Sequence, residues 1–576
     1  MARTVNRNQE VQDRDNQEVS LPRRRTRARV TKVRTGCKTC KVRHLKCDEA
    51  KPICHRCQKD QIKCDGYDQF REGQVISQKR TTPHFSHSIP CFRLSTHGNP
   101  SHLENLFLHH AMLYTMPDLA DSILNTSFWS QYLPLYGLQV EGIRHALIAL
   151  GAAHKDFLLR GRKIAGVAQR DNERFIILHY NLAIRHIQPL MSQPTTTNIQ
   201  ATLICCLLFI CFENLRGQYT EAIQHLRAGA RLLASLKGSN SSIFLPSVSE
   251  SDPTVSRAQY ETATHVSSQD NMDALTTLFS CLGIDVSIFL EDEVVPLEKL
   301  SQVSTSDFAV ETATTNSSFT CLSAARKELH RIEIAHDIFF EQLCHADGHK
   351  PLPAVAGQEN SELDRTPPEF SEKDKNTYRG IYRMFWKWSR RFDTFMDHYQ
   401  FETASPKETG DALRVRLQQK TWCAILDETP WLDMMEASFE RGSLESMVDD
   451  AELIIQSMGS LSRPFFTCDA DIIPCLALVG CFTDDRDLLH RVITALRRLN
   501  RREGVWDSQD LAEIFEAAIT AREQLGLPIK VDFAGGVLSM AKMLLSLNIP
   551  CISATNSIVP LAQSVKTTPL ASFMAT

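Results

Sequence analysis

From about residue 101 the apolar residues fall at three- and four-residue intervals and continue to do so for most of the chain. "LENLFLHHAMLYTM", "GIRHALIALGAAHKDFLL", "ERFIILHYNLAIRHIQPLM" and "YTEAIQHLRAGARLLASL" each lay an apolar stripe along one side of a helix, because side chains three and four apart share a face. In the last of these Ile223, Leu226, Ala230 and Leu233 form the stripe, and its simplest use is core packing. Polar, Ser-rich insertions near 238–270 and 345–375 read as flexible surface loops. The helical period then resumes in "YRGIYRMFWKWSRRFDTFMDHY", "LESMVDDAELIIQSM", "DLLHRVITALRRLN" and "DLAEIFEAAITAREQL". No block alternates with period two and no unit repeats at a fixed length. The expected fold class is mostly α, with a large all-helical domain over 101–545 and a C-terminal tail over 546–576.

The most apolar run, "ATLICCLLFICF", covers Ala201–Phe212 and ends at Glu213. Crossing a bilayer takes about 20 apolar residues, so a buried helix is expected here and no membrane partner. The first thirty residues are polar and basic and lack the apolar segment of a secretory signal. An intracellular protein follows, with its cysteines in a reducing compartment where a disulfide framework is disfavoured.

The N-terminal hundred residues have a different character. Residues 21–80 hold 18 Lys and Arg against 6 Asp and Glu, in a chain of 576 residues whose net charge is −4. A basic head on an acidic body is the charge layout of a nucleic-acid-binding module joined to a protein-binding one. Residues 1–34 read as a disordered basic arm ending in "PRRRTRARVTKVR", suited to nucleic acid or to nuclear import. Residues 68–100 carry Pro83, Pro90 and Pro100 without a sustained apolar period and read as a linker.

Between arm and linker, residues 35–67 contain "CKTCKVRHLKC" and "CHRCQKDQIKC". The spacing is C-x2-C-x6-C-x6-C-x2-C-x6-C through Cys37, Cys40, Cys47, Cys54, Cys57 and Cys64. Zinc takes four thiolates in a tetrahedron, and two separate tetrahedra would need eight. Six suffice if two sulfurs each bridge both ions, so the arithmetic points to a binuclear cluster. Its net charge of −2 is offset by the surrounding Lys and Arg, which also favour thiolates. The apolar side chains between Cys37 and Cys64 are Val42, Leu45, Ala50, Pro52, Ile53 and Ile62, too few for a core without a metal staple. A thioredoxin-like site would need one CxxC in an α/β domain, and the other 12 cysteines of the chain form no further CxxC.

Residues 36–67, "GCKTCKVRHLKCDEAKPICHRCQKDQIKCDGY", closely resemble the fungal binuclear zinc-cluster DNA-binding domain in all six cysteines, the basic stretch between the second and third, and Pro52. The body resembles, more loosely, the regulatory domain that accompanies this finger in fungal transcription factors. The stretches concerned are "GIRHALIALGAAHKDFL", "LHYNLAIRHI", "LLFICFENLRGQYTEAIQHLRAGARLL" and "RREGVWDS". The resemblance implies that Cys37 and Cys54 bridge two Zn2+ ions, one completed by Cys40 and Cys47 and the other by Cys57 and Cys64. It implies that Arg43 and His44 face the base edges of a CGG-like triplet; His44 stands where Lys or Arg is common. A short helix is expected after each CxxC turn, the first carrying "KVRHLK". Arg43 suits guanine O6 and N7. Lys38, Lys41 and Lys46, with Arg56, Lys59 and Lys63, suit phosphates.

The function expected is that of a nuclear, zinc-dependent, sequence-specific transcription factor for RNA polymerase II genes, in the manner of metabolic or secondary-metabolite cluster regulators. Its partners would be double-stranded DNA and the transcription machinery or co-regulators. Residues 65–100 lack heptads, so a single half-site or a homodimer through the helical domain is expected. The alternative is a zinc-stapled nucleic-acid adaptor without sequence readout. An enzyme is not expected. Glu-x-x-His in "HRIEIAH" (His330, Glu333, His336) could be half of a di-iron carboxylate site, but it has no second copy and reads as an exposed helix face. "RREGVWDS" reads as a packing anchor rather than the lining of a ligand pocket.

Overall fold

The computed structural model describes residues 36–43, 45–65, 101–160, 166–192, 195–238, 258–290, 294–300, 318–346, 371–427, 439–458, 463–483, 485–525 and 537–546. The chain divides into two compact units, Met1–Phe92 and Arg93–Thr576. The arm over 1–34, the linker over 68–100 and the tail beyond 546 lie outside the described residues.

Helices make up nearly all of the second unit. Ser101 opens the first of them, His102–His110: its hydroxyl accepts the Glu104 N–H (3.2 Å) while the Glu104 carboxylate accepts the Ser101 N–H (2.7 Å). That capping box satisfies two amides a helix start would otherwise leave bare. The helix crosses Glu141–Leu158 closely at Gly151, where a Cβ would lie 2.3 Å from the Phe107 carbonyl oxygen. Gly166–Met191, Thr196–Arg216 and Tyr219–Gly238 follow. The stripe of Ile223, Leu226, Ala230 and Leu233 is buried, as its spacing predicts. One continuous core runs from Phe107 to Leu544. A second core, around Phe385, Trp388 and Phe392, lies among Leu322–Ala346, Glu372–Asp397 and Pro406–Asp427. Its indole N–H at Trp388 donates to the Ala325 carbonyl at 2.8 Å.

The apolar run at 201–212 belongs to a longer element than its 12 residues suggest. Thr196–Arg216 is long and apolar enough to cross a membrane, but 83% of its most apolar window is buried inside the unit. Thr195 caps its start and Gly217, at φ 72°, ends it. The insertion near 238–270 is shorter than its polarity implies. Helix Ala258–Leu290 already covers 258–270, since extending an established helix costs far less than starting one.

Three very short strands interrupt the helices: Phe465–Thr467 pairs in parallel with Arg501–Glu503, which turns back through Gly504 (φ 56°) to pair with Trp506–Asp507. "RREGVWDS" is this hairpin, and each of its charged residues has a separate task. Oε2 of Glu503 accepts the N–H groups of Asp471, Ile472 and Ile473, each at 3.0 Å, where helix Ile473–Phe482 begins with unpaired amides. Arg502 donates to the carbonyls of Asn214 (2.7 Å) and Leu215 (3.1 Å), closing the far end of Thr196–Arg216, and pairs with Asp507 at 2.7 Å. Arg501 lies 2.8 Å from Glu503 and 3.3 Å from Asp121. Trp506 meets Phe289 edge-on with centroids 4.9 Å apart, and its N–H donates to the Asp285 carbonyl at 3.2 Å. It is a packing anchor.

Asp121 collects Arg414 (3.0 and 3.1 Å), Lys407 (3.0 Å) and Arg501. Burial alone would raise its carboxyl, but Arg414, Arg501 and Lys407 outweigh it and hold it well below the usual carboxylate range.

Glu503→Ala is expected to destabilise the helical unit by about 3–5 kcal/mol, because it strands Arg501 and three amides in the interior; the shift of the urea midpoint measures it. Asp121 has a folded pKa below its unfolded one, so its contribution is complete above about pH 4 and drains away as pH falls. Asp121→Asn should therefore start less stable at neutral pH and lose less stability than the parent between about pH 5 and pH 2.

Candidate metal centre and nucleic-acid interface

The described part of the first unit is built as two similar halves. In each, a CxxC turn leads directly into one short helix, Lys38–Val42 and His55–Lys59. The amide of the second cysteine points at the sulfur of the first: Cys40 N–H to Cys37 Sγ at 3.4 Å, and Cys57 N–H to Cys54 Sγ at 3.4 Å. Amides aimed at sulfur favour thiolate, so the turn both positions and charges its ligand. The Asp48 carboxylate receives the His55 and Arg56 amides at 3.0 and 3.1 Å, capping the second helix. Gly36 lets the chain pass Cys47, since a Cβ there would stand 2.9 Å from that of Cys47. The Lys51–Pro52 peptide between the halves is cis.

The sulfurs gather at the centre. Cys37, Cys40, Cys54 and Cys57 are buried, with Cys47 and Cys64 packed against them. One ligand atom from each of Cys37, Cys40, Cys47 and Cys54 lies within 4.8 Å of the others, and the same holds for Cys37, Cys54, Cys57 and Cys64. The two quartets share Cys37 and Cys54, the residues to which the family resemblance gives the bridging role. Thiolates at about 2.3 Å from a tetrahedral zinc stand about 3.8 Å apart. Within the quartets Cys37–Cys54 is 3.6 Å, Cys40–Cys54 3.8 Å and Cys37–Cys57 3.9 Å. The spacing fits zinc–thiolate tetrahedra and is far too long for disulfides. Burial raises the thiols of Cys37 and Cys40 and pushes Cys57 up to about 12, so a metal entering this site displaces protons as it binds.

Two contacts hold the halves together besides the sulfurs. Thr39 Oγ1 accepts the Asp65 N–H at 2.9 Å and lies 3.1 Å from the Lys63 carbonyl. Arg43 pairs with Asp60 at 3.1 Å, both side chains one-third exposed. Of the residues expected at DNA, Lys38, Arg43 and Lys46 are exposed; the side chain of Lys41 and the whole of His44 lie outside the described residues. Arg56, Lys59 and Lys63 are exposed as well. The first helix departs from the expected "KVRHLK" span. It starts at Lys38 and ends at Val42, because the Cys37 sulfur occupies its first turn and the Leu45 N–H closes its end on the Cys40 carbonyl at 3.0 Å. Arg43 therefore leaves the helix at its C-terminal turn. The partners Thr39, Asp48 and Asp60 were not legible as such, since single polar residues carry no spacing signal.

"HRIEIAH" is not the exposed face that its sequence suggested. His330 and Glu333 are buried between the two cores, where each finds polar partners. Glu333 binds Arg326 (3.0 Å), His330 (3.1 Å) and the Trp422 indole N–H (3.3 Å), while His330 reaches the Ser280 hydroxyl at 2.9 Å. Burial would raise the Glu333 carboxyl, but Arg326 and His330 hold it at about 2. His336 packs on Phe340 and Trp422 and is lowered by burial to about 4.

Comparison with known proteins follows the same division. Residues 35–74 match the fungal Zn(2)-Cys(6) binuclear cluster domain, and residues 84–354 match the fungal specific transcription factor domain. The aspercryptin biosynthesis cluster-specific transcription regulator atnN of Emericella nidulans is 30% identical over 213 residues, covering 35% of this chain and 34% of that protein. The Zn(2)-C6 fungal-type transcription factor afumD of Aspergillus fumigatus is 31% identical over 130 residues, 21% of this chain and 32% of its own. Transcription regulator lscL of Purpureocillium lilacinum is 25% identical over 202 residues, 34% of this chain and 47% of its own. The matches thus span between about a third and a half of the length of these relatives. No solved structure matches the chain. With a domain that holds two zinc ions at its head and a fungal specific transcription factor domain behind it, the chain belongs to the fungal Zn(2)-Cys(6) transcription regulators.

Proposed function

We propose that the chain is a nuclear transcription factor of RNA polymerase II genes that reads CGG-like triplets in the major groove through its zinc cluster. The observation that carries this reading is the pair of cysteine quartets sharing Cys37 and Cys54, set in a rim of exposed Lys and Arg. In it Cys37 and Cys54 bridge the two ions, Cys40 and Cys47 complete one, and Cys57 and Cys64 complete the other.

Arg43 is the side chain for base recognition. Its partner Asp60 is one-third exposed, and such a pair is worth about 0–1 kcal/mol. A bidentate contact to guanine discriminates by about 1–3 kcal/mol, so exchanging Asp60 for a base is favourable. Lys38, Lys41 and Lys46 serve the phosphates, and His44 lies beside Arg43 at the bases. The helical domain regulates or recruits, and a homodimer through it accounts for any paired half-sites. The relatives' printed roles support control of a biosynthetic gene cluster.

Selection of duplexes from a random pool with the zinc-loaded chain should recover a CGG-containing site, and chelation should abolish recovery. Arg43→Ala is expected to cost about 1–3 kcal/mol on that site and to relax selection at one base. Lys46→Ala should weaken all sequences alike and lower the salt slope of binding by about one. Recovery of no preferred sequence, with binding that simply falls as salt rises, would replace this reading with that of a non-specific adaptor.

A further inference from the structure

Three helices of the second unit bring two imidazoles and a carboxylate together, at a place no comparison assigns. Glu104 on His102–His110, His145 on Glu141–Leu158 and His179 on Gly166–Met191 each offer a ligand atom, all within 4.8 Å of one another. Nδ1 of His145 is 3.0 Å from Nδ1 of His179. On their far sides, Nε2 of His145 faces Glu141 at 3.9 Å and Nε2 of His179 faces Glu104 at 3.6 Å. Both rings are more than nine-tenths buried, while Glu141 and His186 mark an open edge to solvent.

The tautomers of this chain of groups do not close. A neutral imidazole carries one N–H. If His145 donates from Nδ1 to His179, the bare Nε2 of His145 points at the Glu141 carboxylate. If His179 donates instead, its own bare Nε2 points at Glu104. Two neutral rings therefore always leave one lone pair facing an anion. One positive centre between the Nδ1 atoms removes the conflict, because both rings then carry hydrogen on Nε2 and each donates toward its carboxylate. That is the carboxylate–histidine–metal arrangement. A proton is a poor candidate for the centre at neutral pH. Burial, His179, Arg144 and His186 lower His145 to about 4 against the pull of Glu141, and burial and Arg144 lower His179 against that of Glu104.

We infer a third zinc site, in the helical domain, held by Nδ1 of His145 and Nδ1 of His179 with Glu104 as the carboxylate of the site. Imidazole and carboxylate suit zinc, and the two negative charges of Glu104 and Glu141 balance the ion. Two imidazole nitrogens on a tetrahedral zinc stand about 3.4 Å apart, so the rings part by about 0.4 Å to admit it. The ion pins three helices at their common crossing.

The full-length chain, saturated with zinc and freed of excess, should hold three zinc ions per chain by elemental analysis and native mass spectrometry, and His179→Ala should hold two. Glu104→Gln guards against misfolding, since Gln also serves the third position of a capping box; it should keep the parent's helicity and bind the third zinc about 10–100-fold more weakly in competition with a chelator. A Cys37→Ser, Cys54→Ser chain should lose the cluster zinc and keep the third, which separates this site from the cysteine reading. Two zinc ions in the parent at saturation, or a third that both His179→Ala and Glu104→Gln retain at full affinity, would overturn the assignment.

Discussion

Everything in the first unit depends on two sulfurs serving two ions. The segment from Cys37 to Cys64 has six apolar side chains, and Ile53 and Ile62 among them are exposed, so the hydrophobic effect cannot pay the entropy of ordering it. Sharing Cys37 and Cys54 lets six cysteines do the work of eight. It also explains why the two halves must lie face to face, since each half contributes its first cysteine to both quartets. The rest of the unit follows from that placement: a helix on each CxxC turn, an Asp48 cap, and a Thr39 clamp across the halves. With so little surface to bury, nearly every remaining side chain is left to face outward, and most of those with charge are basic.

The second unit solves the opposite problem. It has apolar surface in plenty, and its difficulty is what to do with helix ends that stop inside the protein. The hairpin Arg501–Asp507 is the answer on this page. Glu503 supplies an acceptor at the start of one helix, Arg502 a donor at the end of another, and Arg501 balances Glu503 and Asp121. Buried charges are tolerated there because each meets a counter-charge or an unpaired backbone group. The same logic places Glu333 between Arg326, His330 and Trp422 at the seam of the two cores.

What the sequence disclosed divides along physical lines. Periodic features were legible: the helices, the stripe of Ile223, Leu226, Ala230 and Leu233, and the cysteine spacing, because each repeats a local geometry that spacing encodes. Features made by distant partners were not. Nothing near Glu503 announces that it caps a helix beginning thirty residues earlier. Nothing in "HRIEIAH" reveals Arg326 and Trp422, so burial of His330 and Glu333 was missed. The first finger helix was misplaced by a few residues because a sulfur-capped turn begins its helix earlier than the basic run suggests. His145 and His179 sit in motifs whose apolar period hid them, and only the crossing of their helices brings the two nitrogens together.

Arginine–carboxylate pairs occur in both units, and their surroundings decide what they are for. Between Arg414 and Asp121 the arginine is almost wholly buried and the contact is bidentate, so parting the pair would leave charge in a low dielectric. Such a pair fixes structure. Between Arg43 and Asp60 water reaches both groups, and a competing acceptor can take the guanidinium at little cost. A side chain held in place but weakly is suited to exchange partners, and the five donors of its planar fork match a guanine edge as well as they match a carboxylate. The difference between scaffold and recognition therefore lies in how much water is removed around the same chemical pair, and the small metal-held head is where least water has been removed.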